Sequence, residues 1–412
     1  MRLGNHIRIL TGFLLLWPAF SFASFENELQ IQTFKYATDD HATLSISNQS
    51  YFESESFLTR VNFYVESGPL GSWSFDPDPL RYNLKLNSKG TDFLWFGREH
   101  PLNLVRGEPV EFTSALGSVW TQNQLEPLSP RVSGWIGTGF VKDLNVDSSW
   151  KLVGAYSPLF LPSFGPSLGF TDRGELNPSR FARLPPSQVN TGGVTVPIRY
   201  QLRIDQLSEL VLQNQAFLGV SHNTDAVNFD IYAYTAPKPD PVARTDAKLA
   251  VGEDAVNARV DVKPQFPREY WVGTRVQNKT MPFKPAFEFL QKANELSVHV
   301  ASITGYLDGA IKGSFGVTSH FQKMFDGPTQ SDGFVFVNLP FALSDELTLH
   351  SVFQATLLNG KRGWYWMNQL EYAFKAGFSV LGAIRILSGE DNSYFGDWRN
   401  QDSVSMGFKW AW

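Results

Sequence analysis

The 412 residues contain no cysteine. That excludes a disulfide framework and a lipid anchor attached through cysteine. Charge is also sparse: charged residues make up 18% of the chain and the formal net charge is −5. A nucleic-acid partner would need a concentrated basic face, which this composition argues against. Beyond residue 24 no apolar run approaches the roughly eighteen residues of a membrane-spanning helix. Amphipathic patterns of helical length are nearly absent as well.

The first residues form three zones. Arg2 and Arg8 supply positive charge, Ile9 to Trp17 is a short apolar stretch, and Ser21-Phe22-Ala23 places small residues at a cleavage position. This is the layout of a secretory signal peptide, expected to span 1–23 and to be cut after Ala23. Its apolar stretch is too short to cross a bilayer. Cleavage removes two basic side chains and leaves the remainder slightly more acidic. An exported chain with no helix span, lipid anchor or disulfide is periplasmic, secreted, or a membrane β-barrel.

What the chain does have favours the barrel. Aromatic residues reach 14%, and a barrel strand shows one face to lipid and the other to water. The last strand alternates throughout. Val404, Met406, Phe408, Trp410 and Trp412 share one face; Ser403, Ser405, Gly407 and Lys409 share the other. The period is two, as a pleated strand requires. Upstream, Phe378, Val380, Gly382, Ile384 and Ile386 alternate in the same way. So do Trp364, Trp366, Leu370, Tyr372 and Phe374, then Leu347, Leu349, Phe353 and Ala355, then Phe57, Val61, Phe63 and Val65. Turn-forming residues such as Asn87-Ser88-Lys89-Gly90 join them.

Barrels of this class have short periplasmic turns and longer outer loops. Counting back from the C-terminus puts 388–401, 320–331, 279–294, 237–254, 158–207, 99–130 and 67–78 outside. The short segments 375–377, 343–346, 307–309, 264–268, 221–225, 143–148 and 87–90 fall in the periplasm. The strand at 55–66 becomes the sixteenth, and 25–53 can add a further pair. The expectation is an all-β chain, a transmembrane antiparallel up-and-down barrel of about 16–18 strands, with 24–412 as one domain. Segment 358–362 is short for an outer loop. A further strand at 283–291 would shift the parity of everything upstream. The proline-bearing segments 99–130 and 158–207 are too long for simple loops, and loops of such length usually carry function. They are expected to fold into or over the lumen, which is wide enough in a barrel of this size.

The ending from Val404 to Trp412 resembles the C-terminal signal of Gram-negative outer-membrane β-barrel proteins, whose last residue is aromatic, usually Phe. The resemblance implies that Phe408, Trp410 and Trp412 are read by the barrel-assembly machinery of the outer membrane. It covers the signal peptide and the last strand specifically. In size the chain resembles the general porins, and equally the barrels that pass exopolysaccharide; no motif separates the two.

Catalytic readings fail on geometry. Ser351 follows His350, and neighbours on a strand point to opposite faces. Ser319 and His320 fail in the same way, and Ser221-His222-Asn223 lies at an expected turn. His100, beside Arg98 and Glu99, reads as a solvated polar residue at the lumen. No enzymatic activity, metal or other cofactor is expected. The acidic loop Glu390-Asp391-Asn392, with Asp397 and Asp402, offers oxygens that calcium would accept, yet acidic outer loops are common without it. Gly134 to Gly139 reads as a thin, closely packed strand.

Arginine is the best functional pointer. Arg98, Arg106 and Arg131 flank or lie in the first long segment. Arg173, Arg180, Arg183, Arg199 and Arg203 punctuate the second, with Asp172 and Glu175 nearby. Cationic rings favour anions, and arginine grips carboxylate or phosphate in a fork; the same residues could instead tie the segments to acidic wall residues. Arg98, His100, Arg106, Arg173, Glu175, Arg180 and Arg183 are the candidate constriction residues. The expected function is passive, downhill passage of small hydrophilic solutes across the outer membrane, with a preference for anions or sugars. Polysaccharide export and a non-conducting structural or adhesive barrel remain open. The expected partners are the outer-membrane bilayer, the assembly machinery, and a small solute or polysaccharide.

Overall fold

In the computed structural model the described residues are 24–36, 42–54, 56–66, 73–106, 134–144, 149–160, 169–170, 176–177, 187–191, 194–204, 207–238, 242–251, 256–293, 298–308, 312–323, 329–358, 360–374, 377–390, 393, 395 and 402–412. The expected signal peptide lies outside them. The strands in chain order are β1 (Ser24–Tyr36), β2 (Thr43–Glu53), β3 (Phe57–Glu66), β4 (Trp73–Lys85), β5 (Phe93–Glu99), β6 (Trp135–Asp143), β7 (Trp150–Ser157) and β8 (Gly169–Phe170). There follow β9 (Leu176–Asn177), β10 (Gln188–Thr191), β11 (Val194–Leu202), β12 (Gln215–Asn223), β13 (Val227–Pro237), β14 (Val242–Val251), β15 (Val256–Gln265) and β16 (Arg268–Asn278). The last eight are β17 (Ala286–Lys292), β18 (Val298–Asp308), β19 (Lys312–Lys323), β20 (Thr329–Ala342), β21 (Leu347–Leu358), β22 (Lys361–Ala373), β23 (Phe378–Gly389) and β24 (Ser403–Ala411). Among the described residues, two short helices, Pro101–Arg106 and Leu207–Val211, interrupt them.

Eighteen of these strands form one closed antiparallel sheet. The wall runs β1 to β7, then β12, β13 and β16 to β24, and closes where β24 pairs with β1. Closure leaves no sheet edge with unpaired backbone groups, the condition for β-structure in hydrocarbon. Ile31 faces Phe408 and Leu29 faces Trp410 across the seam. The backbones of Trp412 and Asn27 exchange two hydrogen bonds of 3.0 Å.

The last strands show why the sequence folds this way. Val404, Met406, Phe408 and Trp410 are all exposed, while Ser403 and Ser405 are buried inward. Register stacks Phe378 against Trp410, Val380 against Phe408 and Ile384 against Val404. The apolar residues therefore join into an outward band, far larger than the scattered apolar patches of soluble proteins. Aromatics cluster at both margins of that band. Phe374, Phe378, Trp410 and Trp412 are exposed near the termini, and Tyr156, Tyr270, Trp364 and Trp366 near the opposite end. This is the girdle arrangement of membrane barrels.

Two details of the strand count differ from the sequence expectation, and they cancel. The segment expected as an outer loop at 279–294 holds wall strand β17, so 279–285 is a connection at the end bearing the termini. The segment expected as a periplasmic turn at 264–268 lies at the opposite end, because β14 and β15 are not in the wall. Strand β15 alternates as a wall strand does, so periodicity cannot separate the two cases; pairing does. It joins β11 and β14 in a separate sheet, order β10–β11–β15–β14. Residues 25–53 supply β1 and β2, giving eighteen. The short 358–362 connection stands on the long-loop side, where the count from the C-terminus had put it although its length is a poor fit there.

Candidate pore constriction

The first long connection leaves the wall at Glu99 and returns at Gly134. Its beginning is stapled at the rim. Arg98 lies 3.4 Å from Asp78, whose carboxylate also accepts the Gly134 amide at 2.6 Å. Arg98 donates to the Gly134 carbonyl at 3.4 Å. Gly97 has a φ of 125°, a conformation open to glycine, and an added Cβ would overlap the Leu80 carbonyl.

From the rim the chain turns inward as the helix Pro101–Arg106. Proline suits a first helical position, because that N–H would have no intrahelical partner. Glu99 accepts the His100 amide at 3.0 Å and the Asn103 side chain at 2.9 Å, and pairs with Arg81 at 2.9 Å. The Leu102 amide donates to His100 Nδ1 at 3.3 Å. Leu102, Leu104 and Val105 are buried in one apolar cluster with Trp95, Trp135, Val153, Phe217 and Trp271. Gly219 leaves room for Val105 on β12, since a Cβ there would crowd it.

Arg106 ends the helix and is the anchor. Its guanidinium lies 2.5 Å from Glu288 on β17 and 3.7 Å from Asp230 on β13. Arg275 on β16 also reaches Asp230 at 3.7 Å, and the Tyr232 hydroxyl donates to Glu288 at 2.6 Å. All five side chains are buried. Two arginines face two carboxylates, so the cluster carries no net charge. Glu288 and Asp230 each sit near the terminus-bearing ends of their strands, so the helix descends well into the lumen. The surrounding carboxylates hold the Arg106 guanidinium firmly protonated, raising its pKa despite burial. For His100, burial first and then the Arg106 charge push the pKa down to about 3. His100 is thus neutral and buried, set edge-on to Trp135 at 6.2 Å. This corrects the expectation of a solvated histidine: the apolar cluster around the helix covers it.

A second inward group sits near the termini. Lys409 on β24 contacts Glu371 on β22, and His350 Nε2 on β21 lies 3.7 Å from the same carboxylate. At the opposite end, Ser393 and Phe395 of the β23–β24 connection are buried. Phe395 packs with Val352, Tyr365, Met367 and Leu387. Two residues of the acidic loop have structural partners: Asp402 accepts the Leu387 amide at 2.7 Å and Glu390 pairs with Lys361 at 3.8 Å.

Of the candidate residues, the structure sets His100 directly before the lumen helix and Arg106 at its end, and holds Arg98 at the rim. Arg173, Glu175, Arg180 and Arg183 lie outside the described residues. Arg199 and Arg203 belong to the separate sheet, so the second long segment is not a plain loop. Sequence reasoning missed Asp230, Arg275 and Glu288. The available signal was a charged residue on the inward parity of each of three wall strands, Glu288 between Phe287 and Phe289 being the plainest.

No protein-family model matches the chain, and no curated protein sequence matches it. Among solved structures it is similar to OccAB3 of Acinetobacter baumannii, at 10% identity over 95% of this chain and 99% of that one, with a TM-score of 0.45. It is similar to Wzi of Escherichia coli, an outer-membrane protein involved in group 1 capsule assembly and a carbohydrate-binding β-barrel. The identity there is 9%, over 98% of this chain and 86% of that one, with a TM-score of 0.47. It is also similar to OmpT, an outer-membrane protein of Vibrio cholerae, at 9% identity over 94% and 97% of the two chains, with a TM-score of 0.39. With its eighteen strands closed on themselves and its apolar band facing out, this chain has the fold of a transmembrane antiparallel β-barrel.

Proposed function

We propose that the protein is an outer-membrane pore for passive passage of small hydrophilic solutes, narrowed by the segment that follows β5. The observation carrying this reading is the helix Pro101–Arg106, held inside the barrel by Arg106 on Glu288 and Asp230. A barrel of this size has room for side chains, an inserted segment and water. The matched charges around Arg106 give that cluster no ion preference of its own. Any preference for anions or sugars is therefore assigned to the second long segment, with Arg173, Arg180 and Arg183.

One observation favours a second reading, a non-conducting barrel. Trp95, Trp135, Phe217 and Trp271 pack with the helix on one side of the lumen, and apolar packing excludes water. Recording from the purified protein in a planar bilayer separates the two. Discrete openings are expected, with larger unit conductance for Arg106→Ala, which frees the helix. Silence in both proteins would overturn the pore reading in favour of the blocked barrel.

A further inference from the structure

The sheet β10–β11–β15–β14 stands apart from the wall, in the connections at the end of the barrel opposite the termini. Its two faces differ in chemistry. Val196 and Val262 are buried on one, and Ile198, Tyr200, Leu202 and Val260 are half-buried beside them. The other face is polar and arranged in rows by register. Arg199 pairs with Arg259, which pairs with Lys248. Gln201, Asp261 and Asp246 form the next row. Lys263 and Arg244 form the third, and Arg203 continues the register of β11 beside them. Six basic side chains thus share a face with two acidic ones, on a chain whose net charge is −5.

Asp261 organises the centre. It lies 2.8 Å from Arg259, 3.1 Å from Arg203 and 3.9 Å from Lys248. The Arg259 hydrogen bond, reinforced by the Arg203 and Lys248 charges, holds its carboxyl below the usual range. Lys248 also reaches Asp246 at 3.5 Å. The outer positions are different: Arg199 and Arg244 are exposed and form no ion pair among the described residues. The two basic rows are four residues apart, about 13 Å at the rise of a strand. A small anion would meet one row. A chain bearing anions at intervals would meet both. Four of the six bases are arginines, whose planar fork matches carboxylates.

We infer that this face binds an extended acidic polysaccharide, its carboxylates seated on the Arg199–Arg259–Lys248 and Arg203–Lys263–Arg244 rows. Binding here needs no conduction through the barrel, so it stands or falls separately from the pore.

Titration calorimetry on the full-length protein in detergent tests it, with alginate as the acidic glycan and dextran as the neutral one. Alginate is expected to bind at low salt and to be released at about 1 M salt, where charges are screened beyond about 3 Å. Dextran is expected not to bind. The exposed double variant R199Q/R244Q should bind alginate about tenfold more weakly, having lost two charge-assisted contacts, while its bilayer conductance matches the unsubstituted protein. Equal alginate affinity in the variant, or equal binding of dextran, would overturn the inference. So would displacement of alginate by lipid A bound more tightly through the same two arginines, which would assign the face to lipid phosphate.

Discussion

Arg106 shows how one side chain can set the position of a segment. Its charge is buried at the end of a six-residue helix too short to be stable alone. The cost of burying it is met by Glu288 and Asp230, with Arg275 balancing the second carboxylate. Removing one partner from such a group leaves uncompensated buried charge and costs roughly 3–5 kcal/mol. Arg106→Ala is therefore expected to release the helix and leave the barrel closed. Amide hydrogen exchange at 102–106 should rise by about a hundredfold or more, with β20 to β24 unchanged. Unaltered protection across the helix would show that its apolar contacts hold it without the ion network. Arg106 itself was legible in the sequence as a basic residue in an unusually long segment. Its acceptors were not, because they lie 124 and 182 positions away and only the wall brings them near.

At the scale of elements, the last strand closes the molecule. Trp412 exchanges backbone hydrogen bonds with Asn27, and its ring lies 4.6 Å from that of Trp410 on the outward face. Deleting Trp412 removes both the final bond pair of the seam and an aromatic at the membrane margin. The amount of protein recovered from the outer membrane is expected to fall severalfold, an effect read by immunoblot of membrane fractions; undiminished recovery would remove Trp412 from the closure. This strand was legible because its period of two and its apolar face agree over its whole length. Strands β15 and β17 were harder. The first alternates but carries charge toward solvent above the wall. The second has only seven residues, follows Pro282 and Pro285, and puts Glu288 inside. A two-residue period records that one face is apolar, and it does not record what that face touches.

For the molecule as a whole, charge is divided by location. The described lumen cluster is neutral, while one face of the separate sheet is strongly basic. Ion preference in the proposed pore would then come from Arg173, Arg180 and Arg183, since cationic side chains lining a path favour anions. Replacing all three by Ala should move the reversal potential in a salt gradient toward that of a non-selective channel. An unchanged potential would take these arginines out of the conduction path.

The sequence by itself determined the class of fold and the closing strand. Alternation and aromatic margins are local properties, written in neighbouring residues and imposed by a bilayer on one side and water on the other. It also marked the first long segment as unusual. Only the tertiary structure decided where that segment goes, which strands belong to the wall, and which charges meet. Those outcomes depend on pairing between residues far apart in the chain. The same period of two can serve a strand against lipid or a strand standing above it, and an inward carboxylate acquires its role only when an arginine from another part of the barrel reaches it.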